Sequence, residues 1–160
     1  MTSPRRANPI RLPCVQKRKL SLRDHGHQSS VLYLQNEPET QHWVHQINPA
    51  DSATEGQKSC DWLVEIYAGA TTQSEVLEQV YVELKRKNDL ETAIEQLSKT
   101  ILRFDPHRQH RKRSYAVGRF SKPQQQRFRL KDKEFLKKYR SHFWVVSGGV
   151  TEPLHTQSTW

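Results

Sequence analysis

The chain is short of the residues that many enzymes and membrane proteins require. Its 160 residues include only six glycines and two cysteines. So few glycines argue against a loop that cradles phosphates, and Cys14 and Cys60 are too few for a disulfide framework. No apolar run approaches the roughly 20 residues that cross a bilayer, and the N-terminus lacks the apolar core of a signal peptide. We therefore predict reduced thiols and no membrane partner.

Catalytic and metal-binding motifs are missing as well. The sequence has no G-x-S-x-G, Walker loop or H-E-x-x-H, the patterns that carry nucleophilic, phosphate and zinc chemistry. We expect no catalytic residue, no cofactor and no small-molecule substrate. His42 and His45, like His107 and His110, have a spacing that suits two ligands of one metal ion, but a structural zinc site would need both pairs together. We interpret them as surface histidines and predict no metal site.

Positive charge is abundant, and it lies in two blocks. The formal net charge is +9. Residues 1–23 contain seven basic and no acidic side chains, residues 24–102 contain five basic and thirteen acidic ones, and residues 103–140 contain fourteen basic and three acidic ones. Such asymmetry is typical of proteins that bind nucleic acid or an anionic membrane.

The hydrophobic fraction of 34% allows only part of the chain to form a core. We predict an α+β domain over residues 30–148, in which a small sheet packs against a helical hairpin and a C-terminal basic helix. Residues 1–29 contain three prolines and scattered cations without periodicity, which predicts a disordered basic arm. Residues 149–160 are expected to be a frayed tail.

Four apolar segments predict strands: "VLYLQ" (31–35), "DWLVEIYAG" (61–69), "SYAVGRF" (114–120) and "WVVSGG" (144–149). The second is expected near the centre of the sheet.

Two capping boxes predict the acidic helical hairpin 72–103. Thr72 with Glu75 would begin its first helix, and Asn88 with Glu91 its second. "RLKDKEFLKKYRSHF" (129–143) predicts the basic helix, with Phe135, Leu136, Tyr139 and Phe143 inward.

The basic block 103–140, which largely coincides with the basic strand and helix segment 104–144 of the domain, is predicted to bind nucleic acid. Its cations would release counterions from phosphates, and its interleaved aromatic rings could stack on unpaired bases. The predicted contact residues are Arg108, Arg111, Lys112, Arg113, Tyr115, Arg119, Phe120, Arg127, Arg129, Lys131, Lys137, Lys138 and Arg140, with Phe128 as a further stacking ring. Lys17, Arg18 and Lys19 form a candidate nuclear import cluster, so the nucleus is expected, with the cytoplasm as the alternative.

Part of this segment resembles a known RNA-binding family. "RSYAVGRF" (113–120) resembles the RNP1 strand of the RRM family, and "IYAGAT" (66–71) is similar to its RNP2 strand. The resemblance implies that Tyr67, Tyr115 and Val117 lie on an RNA-facing sheet surface. Ser114 and Gly118 depart from the family pattern.

A second resemblance concerns "KYRSHFW" (138–144), which is similar to a segment of the small nuclear nonstructural protein of bocaparvoviruses. The resemblance implies a role in viral RNA processing and replication. The cysteine-containing stretch expected after that segment is absent.

Together these features predict a nuclear, non-enzymatic accessory protein that binds nucleic acid. The alternative is a protein interaction adaptor, of viral or host origin, that docks its partner on the acidic hairpin 72–103. The choices between RNA and DNA and between single and double strands stay open, as does the oligomeric state.

Overall fold

The computed structural model of the chain describes residues 14–24, 30–37, 42–85 and 89–155. In chain order, its strands and helices are β1 (Lys19–Arg23), β2 (Val31–Gln35), β3 (Trp43–Ile47), β4 (Trp62–Tyr67), β5 (Val76–Leu84), α1 (Leu90–Phe104), β6 (Lys112–Val117), α2 (Lys122–Arg127), α3 (Lys131–Tyr139), β7 (Ser141–Val146) and β8 (Thr151–Pro153). A short 3-10 turn, Pro49–Ser52, lies between β3 and β4.

The strands form two sheets, one of five strands in the order β3-β4-β5-β6-β7 and one of three in the order β1-β2-β8. Strands β3, β4 and β5 pair antiparallel, whereas β5, β6 and β7 pair parallel. Parallel neighbours need long crossover connections. Here α1 connects β5 to β6, and α2 with α3 connects β6 to β7.

Two apolar cores hold three layers together. One core joins the five-stranded sheet to the three-stranded sheet through residues such as Leu34, Val80 and Val117. The other joins the opposite face of the five-stranded sheet to the helices, through residues such as Tyr81, Leu97 and Phe135. The central strands are therefore covered on both faces, which explains their continuous burial.

The predicted α+β class is confirmed. β2 and β4 lie within predicted strand segments, and β6 and β7 overlap the predicted segments 114–120 and 144–149. The helical hairpin 72–103 is wrong, because its first half is strand β5. Val80, Val82 and Leu84 recur at every second position, as in a strand, and pairing with β4 and β6 on both sides stabilises the extended form. At the predicted cap, Ser74 Oγ instead donates to the carbonyl of Gly69 at 3.0 Å and closes the β4–β5 turn.

The second predicted helix corresponds to α1. Its capping residue is Asp89, whose carboxylate accepts from the backbone N–H of Thr92 at 3.1 Å. Asn88, the predicted cap, lies outside the described residues.

Both ends of the domain extend beyond the predicted limits. Residues 19–23 of the predicted disordered arm form β1, whose Leu20 and Leu22 are buried against the large sheet. Residues 1–13 and 25–29 of that arm lie outside the described residues. Apolar side chains at alternate positions, Leu20 and Leu22, order β1. Residues 151–153 of the predicted tail form β8, which pairs with β2, and Leu154 is buried.

The basic helix α3 is shorter than the predicted segment 129–143. It ends because Arg140 adopts a left-handed conformation, with φ of 58°, and its N–H bonds the carbonyls of Leu136 and Phe135. Phe143 consequently lies in β7, although it is buried as predicted. The inward prediction is wrong for Leu136, which is 39% exposed. The segment "KPQQQ", which has no predicted helix, forms most of α2 after the capping residue Ser121.

The RRM expectation is also wrong. The predicted RNP1 and RNP2 segments lie in β6 and β4, which β5 separates. Tyr67 and Tyr115 are both buried, so neither offers a ring to RNA.

In the described part of the chain, no helix has the length and apolarity needed to span a membrane.

Candidate functional site

The predicted contact residues divide into a buried group and an exposed group. Lys112 and Arg113 are 0% and 1% exposed, and Tyr115 and Phe120 are buried as well. All but Phe120 lie on β6, an interior strand covered on both faces, and Phe120 packs into the helical core. These four predicted contacts are therefore corrected: in this fold their side chains cannot reach a polyanion.

Lys112 is a structural residue of the helical side. Its Nζ donates to the carbonyls of His110 at 2.7 Å and Tyr139 at 2.8 Å and pairs with the Asp105 carboxylate. Burial lowers the pKa of Lys112. Burial alone would raise the pKa of Asp105, but the bonds from Lys112 and from the amides of His110 and Gln109 outweigh it and lower that pKa. The network fastens the turn after α1 to the end of α3.

Arg113 faces the opposite side, where it holds the C-terminal segment. Its Nε and NH2 lie 3.1 Å and 2.9 Å from Glu78 Oε1, and its NH1 donates to the Pro153 carbonyl at 2.7 Å. It also bonds the carbonyl of Leu154. His155 Nδ1 lies 3.3 Å from the same oxygen of Glu78.

The environment of Glu78 keeps this cluster charged. Burial would raise the pKa of Glu78, but the His155 bond and the Arg113 guanidinium outweigh it, so the pKa is lowered. Arg111 belongs to the same cluster, because its NH2 lies 3.7 Å from Glu78 Oε2 and its side chain is only 23% exposed. It is corrected from a surface contact to a half-buried one.

The remaining predicted contacts lie on the outer surface of the helical layer and its adjoining loops. We call this set the cationic surface: Arg108, Arg119, Lys122, Arg127, Arg129, Lys131, Lys133, Lys137, Lys138 and Arg140, all exposed except Lys131, which is half-buried. Lys122 and Lys133 are additions from the structure. Residues 119–140 contain only two acidic side chains, Asp132 and Glu134.

Those two carboxylates neutralise little of the surface. Glu134 pairs with Lys131 at 2.8 Å and with Lys138 at 3.1 Å. Asp132 Oδ1 lies 3.0 Å from His142 Nδ1 and accepts the Phe143 N–H at 2.9 Å. The surface therefore keeps a large excess of positive charge.

Two arginines position the turn before β6 against α3. Arg108 NH1 donates to the carbonyl of Lys137 at 3.0 Å, and Arg140 NH1 donates to the carbonyl of Gln109 at 3.1 Å. Both arginines have positive φ, 54° and 58°. Cations at the C-terminus of α3 also interact favourably with its dipole, which helps to hold several like charges together.

Open grooves cross the cationic surface. One groove, of about 790 Å³, is lined by Arg108, Leu130, Lys133, Glu134, Lys137 and Lys138. A second, about 340 Å³, lies at the β7 edge and is lined by Gln125, Phe128, Arg129, Asp132, Phe143, Trp144 and Val145. These grooves present charged heads beside apolar side chains.

Trp144 is a candidate that the sequence prediction missed. It is 40% exposed, whereas the predicted stacking rings Tyr115, Phe120 and Phe128 are all buried. The sequence pattern that could have identified Trp144 is the alternation of Phe143 and Val145 with His142 and Trp144. In a strand, this alternation places the indole on the opposite side of β7 from Phe143.

The other sequence candidates lie apart from the cationic surface. Lys17, Arg18 and Lys19 are exposed at the start of β1. His42 precedes β3 and His45 lies in it, whereas His107 and His110 precede β6. Strands β4 and β5 separate β3 from β6. The residues that the structure describes contain no group of three His, Cys, Asp or Glu side chains able to hold a metal.

The acidic surface of the adaptor alternative is also altered. Glu78 and Glu83 are buried within β5, and only the α1 half of the segment 72–103 is helical. The docking face predicted from a two-helix hairpin is therefore absent from the described residues.

Comparison of the chain with protein-family models, with curated proteins and with solved structures gave no match.

Proposed function

We propose that the protein is a non-enzymatic accessory factor that binds nucleic acid through the cationic surface. The observation that carries this proposal is the segregation of charge: residues 119–140 contain nine basic and two acidic side chains, and most of the cations are exposed. Such a surface gains affinity for phosphates by releasing their counterions.

The proposal places each group of cations in a separate role. Lys112 and Arg113 form buried ion pairs with Asp105 and Glu78 and stabilise the fold. Lys133, Lys137 and Lys138 line the groove of about 790 Å³ and would contact phosphates. Lys17, Arg18 and Lys19, on the far layer, would serve nuclear import, which places the activity in the nucleus.

A salt series tests the proposal. Dissociation constants are measured for single-stranded and duplex RNA and DNA between about 50 and about 300 mM salt, a roughly sixfold range around physiological conditions. We expect affinity for at least one of these to fall steeply with salt, with a slope of about −0.9 per phosphate contacted in duplex DNA. Absence of binding by the wild-type protein to all four at about 150 mM salt would overturn the proposal.

A matched pair of variants locates the surface. Lys133→Glu with Lys137→Glu reverses two charges on the cationic surface. Lys19→Glu with Arg23→Glu makes the same change on β1, in the opposite layer. We expect the first pair to weaken binding at least about tenfold. It should also reduce the slope of log affinity against log salt by the amount that corresponds to about two phosphate contacts. An equal loss from both pairs would mean that only net charge matters.

A further inference from the structure

The exposed indole of Trp144 rests on a rigid support. Its ring centroid lies 5.3 Å from that of Tyr115, with an interplanar angle of 21°. Tyr115 is itself fixed, because its ring is buried and its hydroxyl accepts a bond from Arg113 NH1 at 2.9 Å. One face of the indole is therefore covered and immobile.

The other side of the indole faces an open sheet edge. Strand β7 is the last strand of the five-stranded sheet, so no described strand lies beyond Trp144. The His142 ring, 5.4 Å away and tilted by 39°, flanks the indole. A flat aromatic ligand can therefore stack on Trp144 without displacing any part of the sheet.

Positive charge lies at the same edge. Arg129 and Trp144 line the same groove of about 340 Å³. A second groove of about 230 Å³ continues from Gln125 and Arg129 to Lys122. The Asp132 carboxylate in the first groove disfavours phosphate beside it, so phosphates are directed to Arg129 and Lys122.

An added peptide strand fits this edge poorly. The carbonyls of Arg140 and Val146 accept bonds from β6, so the odd-numbered residues of β7 direct their backbone groups outward. The N–H of Phe143 is already bonded to Asp132 Oδ1. Phe143 lies between Ser141 and Val145, the other outward-facing residues of β7, so its bonded N–H interrupts the row of groups that another strand would pair with. This favours a ligand that uses ring faces and charge.

We infer that Trp144 is a stacking site for an unpaired base, and that the cationic surface takes single-stranded nucleic acid in preference to duplex. A duplex keeps its bases paired and stacked, whereas a single strand can turn one base onto Trp144 while its phosphates follow Arg129 and Lys122. This inference rests on the proposed function. Base stacking on an aromatic side chain changes affinity by about 5- to 150-fold.

The experiment compares a single strand, its duplex of equal length and heparin, a polyanion without bases. Trp144→Leu retains an apolar cover over Tyr115 but loses the aromatic face, and Trp144→Phe restores a ring. We expect the Leu variant to bind the single strand about 5- to 150-fold more weakly, with duplex and heparin affinity changed less than about twofold. The Phe variant should recover most of the loss.

A second measurement does not depend on a destabilising substitution. Tryptophan fluorescence of the wild-type protein should be quenched by the single strand, and Trp144→Phe should abolish most of that quenching. Equal quenching in the two proteins would overturn the inference.

The outcomes separate the two proposals. If Trp144→Leu changes no affinity while Lys133→Glu with Lys137→Glu weakens all three ligands, the stacking site is wrong and the cationic surface stands. If the wild-type protein binds neither nucleic acid, both proposals fall. If Trp144→Leu weakens heparin as much as the single strand, Trp144 acts through the fold and stacking is refuted.

Discussion

Substitution of Glu83 by Gln is expected to stabilise the protein at neutral and alkaline pH. Glu83 is buried in β5, and burial, with the Asp61 charge, raises its pKa from 4.5 to about 8. The Lys85 ammonium, 3.0 Å from Glu83 Oε1, opposes this increase without cancelling it. The folded protein therefore retains on Glu83 a proton that the unfolded chain has already released.

The magnitude follows from proton linkage. Between pH 4.5 and about 8, unfolding releases this proton, so the free energy of unfolding falls by about 1.4 kcal/mol per pH unit. By pH 7 the accumulated loss from this one group is on the order of 3 kcal/mol. Gln has no such equilibrium, and its similar shape keeps the packing of β5. The free energy of unfolding of Glu83→Gln should exceed that of the wild type by close to zero at pH 4.5 and by about 3 kcal/mol at pH 7, and the difference should be constant above the folded pKa.

Urea unfolding at several pH values between 4.5 and 9 measures this difference. Glu75→Gln is the matched control, since it makes the same chemical change at an exposed position, and it should give no comparable increase. A Glu83→Gln protein whose stability runs parallel to that of the wild type across the whole pH range would refute the reasoning.

Three other changes test the buried network and the packing. Arg113→Met should lower the free energy of unfolding by about 3–5 kcal/mol in urea denaturation, because it leaves Glu78 buried without its main partner; a loss below about 1 kcal/mol would contradict this. Gly118→Ala would place a Cβ 2.6 Å from the carbonyl oxygen of Lys85, and the thermal midpoint should fall by the equivalent of about 1–3 kcal/mol. The Cys60 thiol, whose pKa is raised by burial, should react with a thiol reagent only after unfolding; rapid labelling of the native protein would count against its burial.

Local sequence patterns located several elements well. β2 and β4 are apolar runs rich in β-branched and aromatic residues, which favour strands in most contexts. α1 has apolar positions Leu90, Ala93, Leu97 and Ile101 at helical spacing, and solvent on its other face preserves that pattern. These elements were predictable because one local signal dominated.

β5 was not predictable in the same way. Its Val76, Leu77, Val80 and Leu84 fit a helical period, and its buried Glu78 and Glu83 mimic the polar face of a helix. In the fold, both faces of the strand are covered, so the alternation of polar and apolar residues no longer reports which side faces water. The Arg113 guanidinium that pairs with buried Glu78 comes from β6, so the local sequence of β5 does not reveal it.

The sequence by itself determined the α+β class, the strand positions with strong β-propensity and the concentration of positive charge after Pro106. Only the tertiary structure decided which of those charges meet solvent. Arg113 and Lys112 resemble their exposed neighbours in sequence, but pairing of β6 with β5 and β7 buries them beside Glu78 and Asp105. Burial depends on contacts between segments far apart in the chain, and charge composition carries no record of those contacts.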